Sequence, residues 1–184
     1  METALGNLFA DALAEMGECD IALVGSGSIR SKEMGPVVTL KDYRACFPYE
    51  DSFSRFTVAG AMLKRMFAHF MRTENRNGEG ECYQVNGRIR AAYNDGAHEL
   101  VSLTFDSQLV ADDGLYTIGL AGYHVTNSQY LNVSNDDLVV SGSSKVIATN
   151  IADVLEEYLK GHQNIGRKVE GRLAYVKGGQ DYIK

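Results

Sequence analysis

The chain reads as an α+β domain built on a mixed β-sheet with packed helices, and three observations carry that reading. Helical and strand-like periodicities alternate along the chain. Hairpin signals interrupt that alternation. One short apolar run, Ile21-Ala22-Leu23-Val24, leads straight into a Gly/Ser turn. Interleaved helices and strands favour layered packing, while hairpins require antiparallel neighbours, so both strand directions are expected. With 184 residues, 45% of them hydrophobic and 23% charged, the chain has room for one domain with a substantial core.

The first element is an amphipathic helix over 2–16. Leu5, Leu8, Phe9, Ala12, Leu13 and Met16 form one stripe at helical spacing, and Gly17 ends it. A buried strand over 20–25 follows, continuous rather than alternating, as expected where both faces are covered. After a polar loop with Pro36, Thr39 stands three residues before Asp42, a capping-box start for a short helix over 40–46. Phe47-Pro48-Tyr49 breaks it, because the residue before a proline is pushed out of helical conformation. A strand over 52–58 and a helix over 61–74 come next. The helix carries Leu63, Met66, Phe67, Phe70 and Met71 as a core stripe.

Residues 75–81 form a polar loop. Residues 82–93 alternate as a strand with Asn86-Gly87 as a bulge or turn. Asn94-Asp95-Gly96 marks a hairpin into a strand over Glu99–Phe105, and Asp112-Asp113-Gly114 precedes another over 115–120. Residues 122–137 form a long loop holding Tyr123 and Tyr130, and loops of that length are usually functional or disordered. A last helix over 145–159, stopped by Gly161, and a strand over 169–176 complete the domain, 2–176. Residues 177–184 form a polar tail.

A net charge of −6 argues against a nucleic-acid partner, which calls for a basic face. No apolar run approaches the ~20 residues a membrane helix requires. The opening Met1-Glu2-Thr3-Ala4 enters a helical pattern directly, without a signal peptide, as at the start of an excised domain. Cys19, Cys46 and Cys82 are widely spaced and odd in number, so they are expected to pack as small hydrophobes. The histidines at 69, 98, 124 and 162 are isolated, and each is expected at the surface or lightly packed. No metal-ligand spacing and no GxSxG, P-loop or Rossmann fingerprint occurs.

Binding features remain. Gly25, Ser26 and Gly27 free backbone N–H groups to form an anion-binding concavity, and Arg30 adds a guanidinium fork. An ordinary strand exit with a solvated arginine is the competing explanation. The Pro-Tyr corner at Tyr49 and the tyrosine-bearing loop offer flat stacking surfaces. Together they suit a ligand with a phosphate end and a planar end, such as a nucleotide.

In order along residues 2–174, the chain resembles the C-terminal, substrate-binding domain of the 5′-nucleotidase family. That family includes periplasmic UDP-sugar hydrolases and cell-surface ecto-5′-nucleotidases. The matching segments are Glu2-Thr3-Ala4-Leu5-Gly6-Asn7-Leu8 with Asp11-Ala12, Asp20-Ile21-Ala22-Leu23 with Gly25 through Arg30, and Thr39-Leu40-Lys41-Asp42. Phe47-Pro48-Tyr49, Gly60 with Leu63-Lys64, Gln84-Val85-Asn86-Gly87 and Val169-Glu170-Gly171-Arg172-Leu173 continue the series.

The resemblance implies a substrate-recognition domain of a nucleotide-hydrolysing metallophosphoesterase. Its divalent metal ions and catalytic residues would lie in a separate N-terminal domain, leaving no catalytic residue and no cofactor in this chain. It implies Arg30 at the phosphate end, Tyr49 and Tyr123 as the stacking pair, and Asn7 near the phosphate. Gly25 stands where the family has a base-binding Asn, and Gln129 stands roughly where an Asp would hold the ribose. A degenerate, non-catalytic ligand-binding or interaction domain of the same fold is the alternative. The parent protein would be exported: periplasmic, cell-surface or extracellular.

Overall fold

The computed structural model describes residues 1–78, 80–140 and 144–177. Helix α1 (Ala4–Met16) starts on Thr3, whose hydroxyl accepts from the Gly6 amide. It is followed by β1 (Ile21–Gly25), a 3-10 turn over Ser26–Ser28, α2 (Leu40–Cys46), β2 (Phe53–Ala59), α3 (Gly60–Phe70) and α4 (Thr73–Arg76). Then come β3 (Tyr83–Val85), β4 (Ile89–Asn94), β5 (Glu99–Phe105), β6 (Gln108–Leu109) and β7 (Leu115–Ala121). Helix α5 (Gly122–Thr126), a 3-10 turn over Ser128–Leu131, α6 (Asn135–Val140), β8 (Lys145–Ala148), α7 (Ile151–Gly161) and β9 (Leu173–Val176) complete the order.

The strands form two sheets, each mixed. One runs β3-β1-β7-β2-β8, with β1 parallel to β7 and the other pairs antiparallel. The other runs β6-β5-β4-β9, with β4 parallel to β9. Strand β1 explains the layering. Ile21 and Leu23 face a core shared with α3 and the four-stranded sheet, through Phe67, Phe70, Ile89 and Leu103. Ala22 and Val24 face a second core beneath α1 and α7, through Phe9, Leu13, Leu155 and Tyr158. The unbroken apolar run is the signature of a strand covered on both faces.

A buried polar clamp joins α1 to the segment leading into β9. Arg172, 1% exposed, donates to Asp11 Oδ1 at 2.7 Å and Oδ2 at 3.0 Å, and also to the Val85 carbonyl at 2.8 Å. Arg167 reaches the same carboxylate at 2.7 Å, and Glu170 pairs with Arg172 from the other side at 3.0 Å. Glu2 caps the arrangement by accepting from the Glu170 and Arg172 amides.

Several boundaries differ from the sequence expectation, each for a local reason. The helix expected over 61–74 breaks after Phe70, because Arg72 Nε and Asn75 Nδ2 take the His69 carbonyl and the chain turns extended at Arg72. Residues 82–93 are two strands in different sheets. The Asn86 side chain accepts from the Ala22 amide at 3.1 Å and donates to the Asp20 carbonyl at 3.0 Å, standing in for a strand neighbour while the main chain departs.

The loop expected over 122–137 is largely ordered as α5, a 3-10 turn and the start of α6. Ser134 and Asp137 form a reciprocal capping pair that the sequence already carried. The helix expected over 145–159 is instead β8 followed by α7, whose N-cap Asn150 accepts from the Ala152 amide at 3.0 Å. The last strand is confined to Leu173–Val176. Of the expected polar tail, residues 178–184 lie outside the described residues. The capping box of α2 forms as expected, and all three cysteines are buried and free. Burial raises the Cys19 thiol to about 12, so it packs as an inert thiol.

Candidate ligand-binding site

Strand register brings the site together. The parallel strands β1 and β7 end at the same edge of the five-stranded sheet, so the turn after Gly25 and helix α5 after Ala121 lie side by side. Phe53 pairs with Ala121, which sets the preceding segment, 47–51, beside Tyr123. Gly25 pairs with Tyr83, which brings Glu81 over the Gly/Ser turn. The Ile151 amide donates to the Asp51 carbonyl at 2.6 Å and fixes the start of α7 at this edge. A crevice at the carboxyl ends of parallel strands is a usual place for a ligand.

The cavity there measures about 390 Å³ and is lined by Arg30, Tyr49, Asp51, Glu81, Tyr123 and His124, among others. That is within the range of small-molecule sites. Tyr49 is 37% exposed and Tyr123 53% exposed, so both rings present area that the core does not use. Tyr49 stands edge-on to the buried Phe47 at 6.2 Å, and Tyr123 stacks on Tyr130 at 6.5 Å and 23°. Arg30 Nε donates to the Tyr49 hydroxyl at 2.9 Å, while its amide donates to the Cys46 carbonyl at 2.7 Å. The guanidinium is thereby held at the cavity mouth. Asp51 anchors the opposite wall by accepting from the Tyr123 and Ser52 amides.

Residues of this cavity that the sequence did not single out as site residues include Asp51, His124 and Glu81. His124, expected at the surface or lightly packed, is 1% exposed. Its Nδ1 lies 3.0 Å from the buried Tyr83 hydroxyl, and its Nε2 has no hydrogen-bond partner. Burial holds its pKa down to about 4, against a smaller opposing pull from Asp51, so the imidazole is neutral at pH 7. A β-carbon at Gly25 would collide with His124 Nε2, so the glycine is what makes room for the ring.

Glu81, assigned to a polar loop, accepts from the Gly27 amide at 3.3 Å. Burial raises its carboxyl, against the amides of Gly27, Cys82 and Ser26 and the nearby charge of Arg30. The amide concavity predicted for a ligand anion thus already holds the chain's own carboxylate. Neither Glu81 nor His124 announces itself locally, since both reach the cavity only through the β1–β3 and β1–β7 pairings.

The other predicted residues divide. Gly25 and Gly27 form the turn beside Glu81 and His124. Ser26 Oγ accepts from Gln84 Nε2 at 2.7 Å, in a smaller adjoining hollow that shares Arg30. Asn7 is not brought to the cavity. It is fully buried and donates to Glu2 and to the Lys168 carbonyl. Gln129 lines a different hollow of about 680 Å³ with Arg65 and Asp137. That hollow is larger but is walled by polar groups, several of them bonded to one another, such as Ser128 to Asn135 at 2.8 Å. It offers no stacking surface. Among the described residues, no group of three or more His, Cys, Asp or Glu is placed to hold a metal ion. No helix among them is long and apolar enough to cross a membrane.

Fold and cavity define an α+β domain with a cavity of small-molecule size at the carboxyl ends of β1 and β7. The chain matches the model of the 5′-nucleotidase C-terminal domain over residues 1–133 and belongs to that family. Curated relatives include the snake venom 5′-nucleotidase of Naja atra, 23% identical over 96% of this chain and 37% of the relative. That of Crotalus adamanteus is 24% identical over 96% of this chain and 33% of the relative. Among solved structures, the 5′-nucleotidase precursor from Thermus thermophilus superposes with a TM-score of 0.79 at 18% identity, over 95% of this chain and 36% of that one. The Haemophilus influenzae NAD nucleotidase gives a TM-score of 0.75 at 13% identity, over 95% and 33%. The chain thus spans about a third of the length of these relatives, and the structural likeness at such identities speaks to fold alone.

Proposed function

We propose that this domain recognises substrate for a 5′-nucleotidase-type phosphohydrolase, receiving a nucleoside or nucleotide between Tyr49 and Tyr123. The observation that carries the reading is the pair of partly exposed tyrosine rings, from separate elements, lining one cavity with Arg30 at its mouth. Stacking on an aromatic ring contributes about 1–3 kcal/mol per base. A guanidinium suits a phosphate at the exposed end. The divalent metal ions and catalytic groups of such an enzyme would belong to a separate N-terminal metallophosphoesterase domain, and the exported location of relatives of this kind would extend to the parent protein. The second reading, a domain of the same fold that binds without serving catalysis, draws on Glu81 filling the amide concavity.

Titration calorimetry with adenosine and AMP tests the reading. Tyr123→Ala is expected to weaken both ligands about 5- to 100-fold, from the stacking contribution. Arg30→Ala is expected to weaken AMP more than adenosine. Equal affinities for wild type and both variants would remove the cavity from consideration. The chain alone is expected to leave AMP unhydrolysed with Mg²⁺, Mn²⁺ or Zn²⁺ present, and chelator-sensitive release of phosphate would contradict that.

A further inference from the structure

A phosphate entering this cavity would find both of its anion-binding devices already engaged by the chain itself. The first is the Gly/Ser turn. Tyr83 pairs with Gly25, and the Ser26 amide extends the pairing by donating to the Cys82 carbonyl at 2.7 Å. That register lays the Glu81 carboxylate across the turn, where it accepts from the Gly27 amide at 3.3 Å. The second device is Arg30. Its Nε donates to the Tyr49 hydroxyl at 2.9 Å, and its Nη2 donates to the same oxygen. A bidentate grip on phosphate uses two parallel N–H groups, and this edge of the fork is turned to Tyr49 instead. The Glu81 carboxylate is also close enough to Arg30 to feel its charge.

The charge balance points the same way. One cation, Arg30, lines the cavity together with three carboxyl groups, those of Glu50, Asp51 and Glu81. His124 is neutral at pH 7 and adds no positive charge. A phosphate monoester carries a charge of about −1.5 to −2 at that pH. Ionised carboxylate and phosphate both only accept hydrogen bonds, so they repel and have no bond to offset the repulsion. A nucleoside brings no such charge, and the exposed faces of Tyr49 and Tyr123 are open to its base.

We propose that Glu81 acts as a charge filter, so that the cavity takes the uncharged nucleoside in preference to its 5′-phosphate. This rests on the nucleoside reading above and adds a specificity-determining residue to it. Arg30 offsets part of the repulsion, so AMP still depends on it.

Calorimetry on the full chain at pH 7 with adenosine and AMP tests the inference, since the two share base and ribose. Wild type is expected to bind adenosine tighter than AMP by about fivefold or more. Glu81→Gln removes the charge and keeps an oxygen for the Gly27 amide. It is expected to tighten AMP by about fivefold or more and to change adenosine by less than about twofold. Glu99→Gln removes an equal charge from an exposed position on β5, in the other sheet, and is expected to leave the ratio unchanged. That control separates Glu81 from the overall charge of −6. AMP bound as tightly as adenosine by wild type overturns the inference, as does an unchanged ratio in E81Q or an equal shift in E99Q. If E81Q folds poorly, the wild-type ratio decides, and a ratio of one overturns the inference. A preference for AMP overturns the filter but leaves the nucleoside reading standing, whereas binding of neither ligand overturns both.

Discussion

Asp11→Ala is expected to lower the free energy of unfolding by about 3 kcal/mol, the lower end of what removing one partner of a buried ion pair costs. The carboxylate accepts from Arg172, Arg167 and the Gly87 amide. Its loss leaves the Arg172 guanidinium in a place where water does not reach. The lower end applies because Glu170 and the Val85 carbonyl still hold part of that charge. Burial pushes the Asp11 carboxyl up, but the hydrogen bonds from Arg172 and Arg167 and the Arg172 charge outweigh it and keep its pKa below the ordinary value. Asp11→Ala combined with Arg172→Met is expected to recover part of the loss, because no charge is then orphaned. Urea unfolding at pH 7 measures both, and a single variant within 1 kcal/mol of wild type would show that the clamp adds little.

Acid is expected to weaken the fold through His124 before it reaches the clamp. The imidazole has a pKa of about 4 when folded and about 6.5 when unfolded. Between those values the unfolded chain binds the proton that the folded chain refuses. Stability therefore falls as pH drops from about 6.5 to about 4 and levels off below, a loss on the order of 3 kcal/mol from this group. His69, also lowered chiefly by burial, contributes in the same direction. Asp11 acts only lower, where its carboxylate begins to protonate. Unfolding free energies at pH 7 and pH 4.5 for wild type and His124→Asn separate these terms. The variant is expected to lose most of the difference between the two pH values, and an undiminished difference would assign it to other groups.

The layout of the fold was legible where local pattern and tertiary burial agree. The α1 stripe, the unbroken β1 run, the Thr39-Asp42 box and the hairpin after Asn94 all form from neighbours in sequence. Strand β8 was hidden because Ile147 continues the helical spacing of Ile151, Val154 and Leu155, and only the Asn150 cap marks the true start of α7. At the cavity, Arg30, Tyr49 and Tyr123 could be named from motif positions. Glu81 and His124 could not, because a loop glutamate and an isolated histidine acquire meaning only once register sets them against Gly25 and Gly27. Asn7 shows the opposite case: its position in the motif is kept, while its amide serves the first turn of α1 and the Lys168 carbonyl.

The Asp11–Arg172 contact spans 161 positions of the chain, and the Glu2–Arg172 contact spans 170. Closing so long a loop costs entropy before the contact can repay it, so such ties form late on the folding route. Interactions absent from the transition state govern how fast the native state comes apart. The clamp therefore acts as a brake on unfolding. In stopped-flow experiments, Asp11→Ala should steepen the escape from the native state about a hundredfold while refolding proceeds at the wild-type rate; a slowed refolding arm would instead place the clamp in the nucleus.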